Sequence, residues 1–393
     1  MEACRKEPVR TSPAGAMLCD HNLVVCLGPG GVGKTSATAA LAIVAAREGR
    51  RTLAFTIDPA RRLAGAVGLS GAKPGVVIPV SDGFDILMLD VHGTWERVVE
   101  RHAVSRGQFE RIKSNRFYDY LTDNFPGFNE YIAVEKLHEI LTEQRYDIVI
   151  VDTPPTSYAL SFLEAPNRVL NLLDNDFVRI FLHPYLKLGR FTLRYATQKE
   201  FFILRQLAKF TGFDMLRELA MFIFEFEGMF KGFRDRAEEV RNRLRAQSTA
   251  FFVVASTDRR RLLEAGTTQK RLREAGYPFT GFFINRYCWM CRDDRPAEGF
   301  GEYAGCPLAH LELDARAFAA EAQAQGIPPD LADRLHSNLA DHVAVQRRVS
   351  LEVSALLSET GPGFTHFTTP AFADDIHDLP GLRRLAEAIR PLG

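Results

Sequence analysis

What this chain lacks narrows its class before any motif is read. No apolar run approaches the ~20 residues of a membrane-spanning helix, so no integral membrane span is expected. Neither sign of charge is in excess: 49 Lys and Arg face 49 Asp and Glu. That balance leaves no electrostatic footprint for nucleic acid or anionic lipid. Cysteine is scarce and unevenly placed, six in 393 residues, which fits a reducing cytoplasm better than a disulfide framework. The opening residues, with Glu2, Arg5, Lys6 and Glu7, hold no continuous apolar core of a secretory signal. Residues 1–20 are expected to form a disordered leader. The length allows one large α/β domain or two modest ones, with a sizeable core.

What is present centres on Gly28-Pro29-Gly30-Gly31-Val32-Gly33-Lys34-Thr35, which fills every position of G-x-x-x-x-G-K-[ST]. Before it, Asn22 to Leu27 is a short apolar run of strand type. After it, Ser36 to Ala46 is alanine-rich and patterned as a helix. Strand, glycine loop and helix N-terminus together make an anion site. The glycines let the backbone wrap a phosphate chain, N–H groups converge, and the helix dipole favours negative charge. Gly30, Gly31, Val32, Gly33, Lys34, Thr35 and Ser36 are the expected nucleotide-binding residues. Lys34 is expected to reach the β- and γ-phosphates of ATP, and the Thr35 hydroxyl to sit on Mg²⁺.

Further strands are predicted at Thr52–Ile57, Phe84–Leu89, Asp147–Asp152, Phe251–Ala255 and Gly281–Asn285. Helices are predicted from Thr94 to about Leu121, from Asn129 to Gln144 and from Arg259 to Ala275. This alternation predicts an α/β, doubly wound, mostly parallel sheet of the P-loop NTPase type. Ligands of such sheets bind outside the carboxyl ends of the strands, where the glycine loop, Asp58, Asp152 and Asn285 fall. The domain reading is an ATPase part over 21–170 and 246–393, interrupted by a helical insertion over 171–245. From Phe177 to Leu244 the chain is crowded with Phe and Met, and from Glu218 to Phe233 they cover more than one helical face. Two readings stand: the core of a helical subdomain, or a groove for an apolar segment.

The motifs then carry a resemblance. The glycine loop, Thr56-Ile57-Asp58-Pro59-Ala60, and the segment from Asp152-Thr153-Pro154-Pro155-Thr156-Ser157 to Leu163 resemble the arsenical-pump ATPase family. That family includes the eukaryotic ATPases that target tail-anchored membrane proteins. Pro126-Gly127-Phe128-Asn129-Glu130, Pro370-Ala371-Phe372 and Asp375 to Leu379 are similar to further family segments, so the resemblance covers roughly residues 22–390. It implies that Asp58 orients the attacking water and that Asp152 holds Mg²⁺ through a water. It further implies that residues 153–157 sense the γ-phosphate, and that Asn285, Pro370 and Phe372 receive the adenine. Phosphoryl transfer asks for such a set on general grounds: a metal ligand, a water-positioning group and charge neutralisation near one phosphate. An Asn after a strand can equally be only a turn or cap.

One position departs from the family. Its members usually carry lysine directly after the first glycine of the loop, reaching the partner subunit's phosphates across a dimer; here it is Pro29. Arg61 and Arg62 are candidates to replace that cation, or form a solvated basic turn. Cys288 and Cys291, with Cys306 and His310, give C-x₂-C-x₁₄-C-x₃-H. That set is a candidate Zn²⁺ site, with redox-active or inert thiols as the alternative.

The function expected from the resemblance is a cytoplasmic, nucleotide-switched homodimeric ATPase handling an apolar client helix, such as a membrane-protein segment. Arsenite or anion export is a second reading. It needs soft thiolates, yet no cysteine lies between Cys26 and Cys288, and the chain has a single glycine loop. An iron–sulfur carrier ATPase is a third, although 152–157 lacks the glycine of that class's switch. A nucleotide-dependent adaptor with little hydrolysis is a fourth, which Pro29 keeps open.

Overall fold

The computed structural model describes residues 12–58, 62–69, 71–124, 127–155, 161–165, 167–168, 213–287, 311–372 and 374–392. The elements run α1 (Pro13–Cys19), β1 (Leu23–Leu27), α2 (Lys34–Arg47), β2 (Thr52–Thr56), α3 (Arg62–Ala66), β3 (Val77–Pro79) and β4 (Phe84–Met88). Next come α4 (Val91–His102), α5 (Arg106–Lys113), α6 (Arg116–Asn124), α7 (Phe128–Glu143), β5 (Ile148–Asp152), α8 (Phe213–Arg245), β6 (Thr249–Ser256) and α9 (Arg259–Glu274). The chain closes with β7 (Phe279–Asn285), α10 (Ala315–Ala324), α11 (Pro329–Thr360), β8 (His366–Thr368), α12 (Leu379–Glu387) and β9 (Arg390–Leu392). The described residues fall into two compact units. A sheet unit lies within Met1–Met88, Tyr146–Thr156 and Arg245–Gly393, and a helical unit within Leu89–Arg145 and Ser157–Leu244.

In the sheet unit the described strands form one sheet in the order β3-β4-β2-β5-β1-β6-β7-β8-β9. The pairings from β4 through to β8 are parallel, and only the two edges, β3 on β4 and β9 on β8, are antiparallel. This is the mostly parallel α/β architecture expected of a P-loop NTPase. Strands β1, β2 and β5 are buried at every residue, the burial of a sheet covered on both faces. Apart from Thr52, Thr56 and Asp152 at strand ends, their sequences accordingly read as continuous apolar runs rather than alternating ones. Register places Cys26 of β1 and Thr56 of β2 on either side of Asp152, so three adjacent strands end level with one another.

Helix α2 shows why alanine matters after the glycine loop. Residues 37–45 of α2 are buried, so the helix has no solvent face of its own, and α1, α12 and the strands pack around it. Small side chains permit that close approach on several sides. Residues 13–19, assigned from sequence to a disordered leader, instead form α1. Ser12 accepts a hydrogen bond from Gly15 N at 3.0 Å, Pro13 opens the first turn, and Ala14, Met17 and Leu18 are buried.

In the helical unit the single helix expected over 94–121 is three, α4 to α6. Ala103 leaves helical geometry, and Ser105 caps α5 by accepting from Gln108 N, so a local side-chain bond restarts the helix after a break. Along α8, Phe222, Phe226, Met229 and Phe233 recur at helical spacing and are buried with Trp95, Tyr118 and Phe128. Trp95 is the hub: it stacks on Phe226 at 5.4 Å and meets Phe128 edge-on at 5.1 Å. Each such side chain contributes about 1.5–3 kcal/mol by burial, so this stripe is core. Met221 and Phe224 lie on the other side of α8, about half exposed. The Phe/Met segment therefore divides into a packed stripe and an exposed pair. Phe210, which precedes α8, lies outside the described residues, as do the side chains of Phe213 and Met215. Among the described residues no helix is long and apolar enough to cross a membrane.

Candidate functional site

The glycine loop connects β1 to α2, and its backbone explains its composition. Gly28, Gly31 and Gly33 have φ of 147°, 78° and 90°, a region that side-chain-bearing residues avoid. Two of these positions are also sterically closed. A Cβ on Gly28 would lie 2.2 Å from the Val254 carbonyl oxygen, and one on Gly33 would lie 2.2 Å from Asn285 Nδ2. Gly33 caps α2, so the first N–H groups of that helix, from Lys34, Thr35 and Ser36, have no partner within it, the arrangement that binds anions at helix N-termini.

Lys34 is the one charged side chain of the loop and is buried. Its Nζ donates to the Pro29 carbonyl at 2.9 Å, folding the lysine back over the loop. Burial lowers its pKa, opposed by the negative charges of Asp152 and Asp58, while Arg62 adds to the lowering. Asp152, at the carboxyl end of β5, is almost fully buried. Its Oδ2 accepts from Thr35 Oγ1 at 2.8 Å and from Thr56 Oγ1 at 3.2 Å, and its Oδ1 has no hydrogen-bond partner. Burial pushes the Asp152 carboxyl up to about 6, with Thr35, Lys34 and Thr56 pulling the other way. Thr56 also accepts from the Asp58 N–H at 3.2 Å, so one hydroxyl links the two acids. Asp58 has its carboxylate 3.6 Å from Arg62 Nη1.

Asn285 closes β7 above the loop. Its Nδ2 donates to the Val32 carbonyl at 2.9 Å and its Oδ1 accepts from Thr369 Oγ1 at 2.8 Å. Pro370 follows Thr369 directly and is partly buried. Phe372 packs partly into the sheet unit's core and has the Arg384 guanidinium 5.8 Å from its ring. Thr153 donates to the Cys26 carbonyl at 2.7 Å, tying the segment after Asp152 to β1. Pro59, Ala60, Arg61, Thr156 and Ser157 lie outside the described residues, as do Cys288, Cys291, Cys306 and His310. Among the described residues no group of three or more His, Cys, Asp and Glu could hold a metal ion.

The sheet thus gathers Lys34, Thr35, Asp58, Asp152 and Asn285 at the carboxyl ends of neighbouring strands. Sequence reading passed over Thr56 and Thr369. Thr56 ends β2 two residues before Asp58, a spacing that is a readable signal for a shared face where the chain stays extended. Thr369 had none beyond preceding Pro370.

A family model described as "Anion-transporting ATPase" matches residues 21–294. The chain belongs to that family. Among curated relatives, this anion-transporting ATPase family member is 27% identical over 166 residues to the ATPase GET3 of Kluyveromyces lactis, covering 39% of this chain and 48% of the relative. It is 26% identical over 175 residues to the ATPase ASNA1 homolog 1 of Paramecium tetraurelia, covering 44% and 52%. With the ATPase get3 of Schizosaccharomyces japonicus it shares 29% over 139 residues, covering 35% and 42%. The matched part of the family member spans about half the length of these relatives.

Proposed function

We propose that this chain binds and hydrolyses ATP with Mg²⁺, as a cytoplasmic, nucleotide-switched homodimer that handles an apolar client such as a membrane-protein segment. The observation that carries the nucleotide reading is the Thr35–Asp152 hydrogen bond beside the unpartnered, buried Asp152 Oδ1. A buried carboxylate oxygen without a donor is costly, and a hard cation approached through water satisfies it. Thr35 and Asp152 are the residues that fit Mg²⁺, which when bound neutralises charge on the β- and γ-phosphates.

The protein's own groups supply the rest. The N–H groups of the loop and the start of α2 hold phosphate oxygens. Lys34 exchanges the Pro29 carbonyl for the β- and γ-phosphates, and Asp58 orients the attacking water. The homodimer and the client rest on the resemblance described above, with Met221 and Phe224 the exposed apolar residues of α8 that could meet a client. Pro29 supports a second reading, a nucleotide-dependent adaptor that binds ATP and hydrolyses little. Two measurements decide: Mg²⁺-dependent phosphate release from ATP, and solution mass with and without a non-hydrolysable ATP analogue. Turnover and a doubled mass with nucleotide are expected. Binding without turnover favours the adaptor, and no binding at all ends the nucleotide reading.

A pH dependence follows from Asp152. Mg²⁺ binding favours the carboxylate, so a proton must leave wherever Asp152 is protonated, that is, below its value of about 6. Below that point, the affinity for Mg²⁺·ATP is expected to fall about tenfold per pH unit, and above it to level off. Titration at pH 5 and pH 7 checks this. The Asp152→Asn variant gives the nucleotide's own pH contribution, and equal slopes in the two proteins would contradict the assignment.

A further inference from the structure

We propose that Thr369 is a positioning residue of the nucleotide site. It sets the orientation of the Asn285 amide and joins the base side of the site to the phosphate loop, and so contributes to selection of adenine over guanine. The inference rests on the ATP-binding reading above and extends it to a residue that contacts neither phosphate nor metal.

Strands β7 and β8 run parallel with Ile284 opposite Thr368, so Asn285 and Thr369 are the next pair in register. Thr369 N donates to the Ile284 carbonyl at 3.0 Å, and Tyr287 N donates to the Thr369 carbonyl at 2.9 Å. Both backbone groups of Thr369 are therefore engaged by the chain that carries Asn285. Arg286, directly after Asn285, has φ of 60°, a left-handed turn that side-chain-bearing residues seldom adopt. That turn lets Tyr287 come back to Thr369.

The amide then has one orientation. The Val32 carbonyl can only accept, so the group facing it at 2.9 Å is Nδ2. The oxygen must then face Thr369, whose hydroxyl donates to it at 2.8 Å. Asn285 is 7% exposed and Thr369 1%, so water does not compete for these bonds. One N–H and one oxygen lone pair of Asn285 remain. An Asn amide in that state matches the N6–H donor and N7 acceptor of adenine, whereas guanine presents two acceptors, O6 and N7. Without the Thr369 donor, Oδ1 is left buried and unsatisfied. The amide is then held from one side only, by its bond to Val32, and its plane can tilt away from the orientation that meets the adenine edge.

The test compares Thr369→Val, which keeps the shape and loses the hydroxyl, with Thr369→Ser, which keeps the donor. Dissociation constants are measured with fluorescent ATP and GTP analogues, because their ratio does not depend on the fraction of protein folded. Thr369→Val is expected to weaken ATP binding about tenfold, the scale of one buried hydrogen bond, and to lower the ATP:GTP preference by a similar factor. KM for ATP should rise with kcat changed little, since Lys34, Asp58 and Asp152 are untouched. Thr369→Ser should restore both quantities. A wild-type chain that binds ATP, with Thr369→Val showing the same affinity and preference, overturns the role of Thr369 alone. A wild-type chain that binds neither analogue overturns the nucleotide reading and this inference with it.

Discussion

Replacing Lys34 by alanine is expected to lower Mg²⁺-dependent phosphate release by about 10³-fold while the protein stays folded. The reason is the charge balance of the site. Pro29 contributes none, and Asp58 and Asp152 bring two carboxylates toward a polyanionic substrate. Lys34 is the loop's single cation, and it is buried, where charge is poorly screened. Removing one preorganised electrostatic group from a phosphoryl-transfer site costs about 10²–10³ in rate, and a transition-state cation is worth about 10³–10⁵. Lys34→Arg should not rescue it. The guanidinium is larger and flat, whereas the present geometry seats a point charge against the Pro29 carbonyl. Phosphate release is the first measurement and thermal melting without nucleotide the second. Turnover within tenfold of wild type in Lys34→Ala would remove Lys34 from the chemistry, and Arg62, which already pairs with Asp58, would become the cation to examine.

The second large effect is on stability. In the helical unit Arg236 Nε of α8 donates to Glu135 Oε2 of α7 at 2.6 Å, and the Tyr131 hydroxyl donates to Glu135 Oε1. Glu135 is 4% exposed, and the Arg236 guanidinium also lies 5.1 Å from the Phe233 ring. Arg236→Met leaves a buried carboxylate without its counter-ion, at an expected cost of about 3–5 kcal/mol. Replacing both partners, Glu135→Leu with Arg236→Met, removes the stranded charge and should recover part of the loss, less the cost of leaving the buried Tyr131 hydroxyl without its acceptor. Denaturant unfolding of the two variants and wild type provides the comparison. A single variant within 1 kcal/mol of wild type would show that the pair is not what holds α7 to α8.

The strands and the glycine loop were legible because their signals are local. Parallel strands buried on both faces are apolar along their length, as Leu23–Leu27 and Ile148–Val151 are, and a helix packed on several sides must be small, as α2 is. The loop's glycines announce themselves because left-handed backbone excludes other residues at Gly31 and Gly33. Local signals fail where one residue redirects the chain. The pattern over 94–121 reads as one helix, yet the Ser105 cap divides it. Helical periodicity also left the Phe/Met segment open, since spacing along α8 does not say which neighbour covers which side. Trp95 answers that for Phe226, from more than a hundred positions earlier in the chain.

The candidate site divides the same way. The sequence by itself determined that a glycine loop stands between strand and helix, that Asp152 closes β5, and that Asp58 follows β2 by two residues. Those are properties of contiguous residues, set by backbone sterics and burial. Only the tertiary structure decided that Thr35 meets Asp152 across 117 positions, and that Asn285 faces Val32 across 253 and Thr369 across 84. Such pairs form because a parallel sheet aligns strand ends from distant parts of the chain. No local propensity encodes which hydroxyl or amide will stand opposite which.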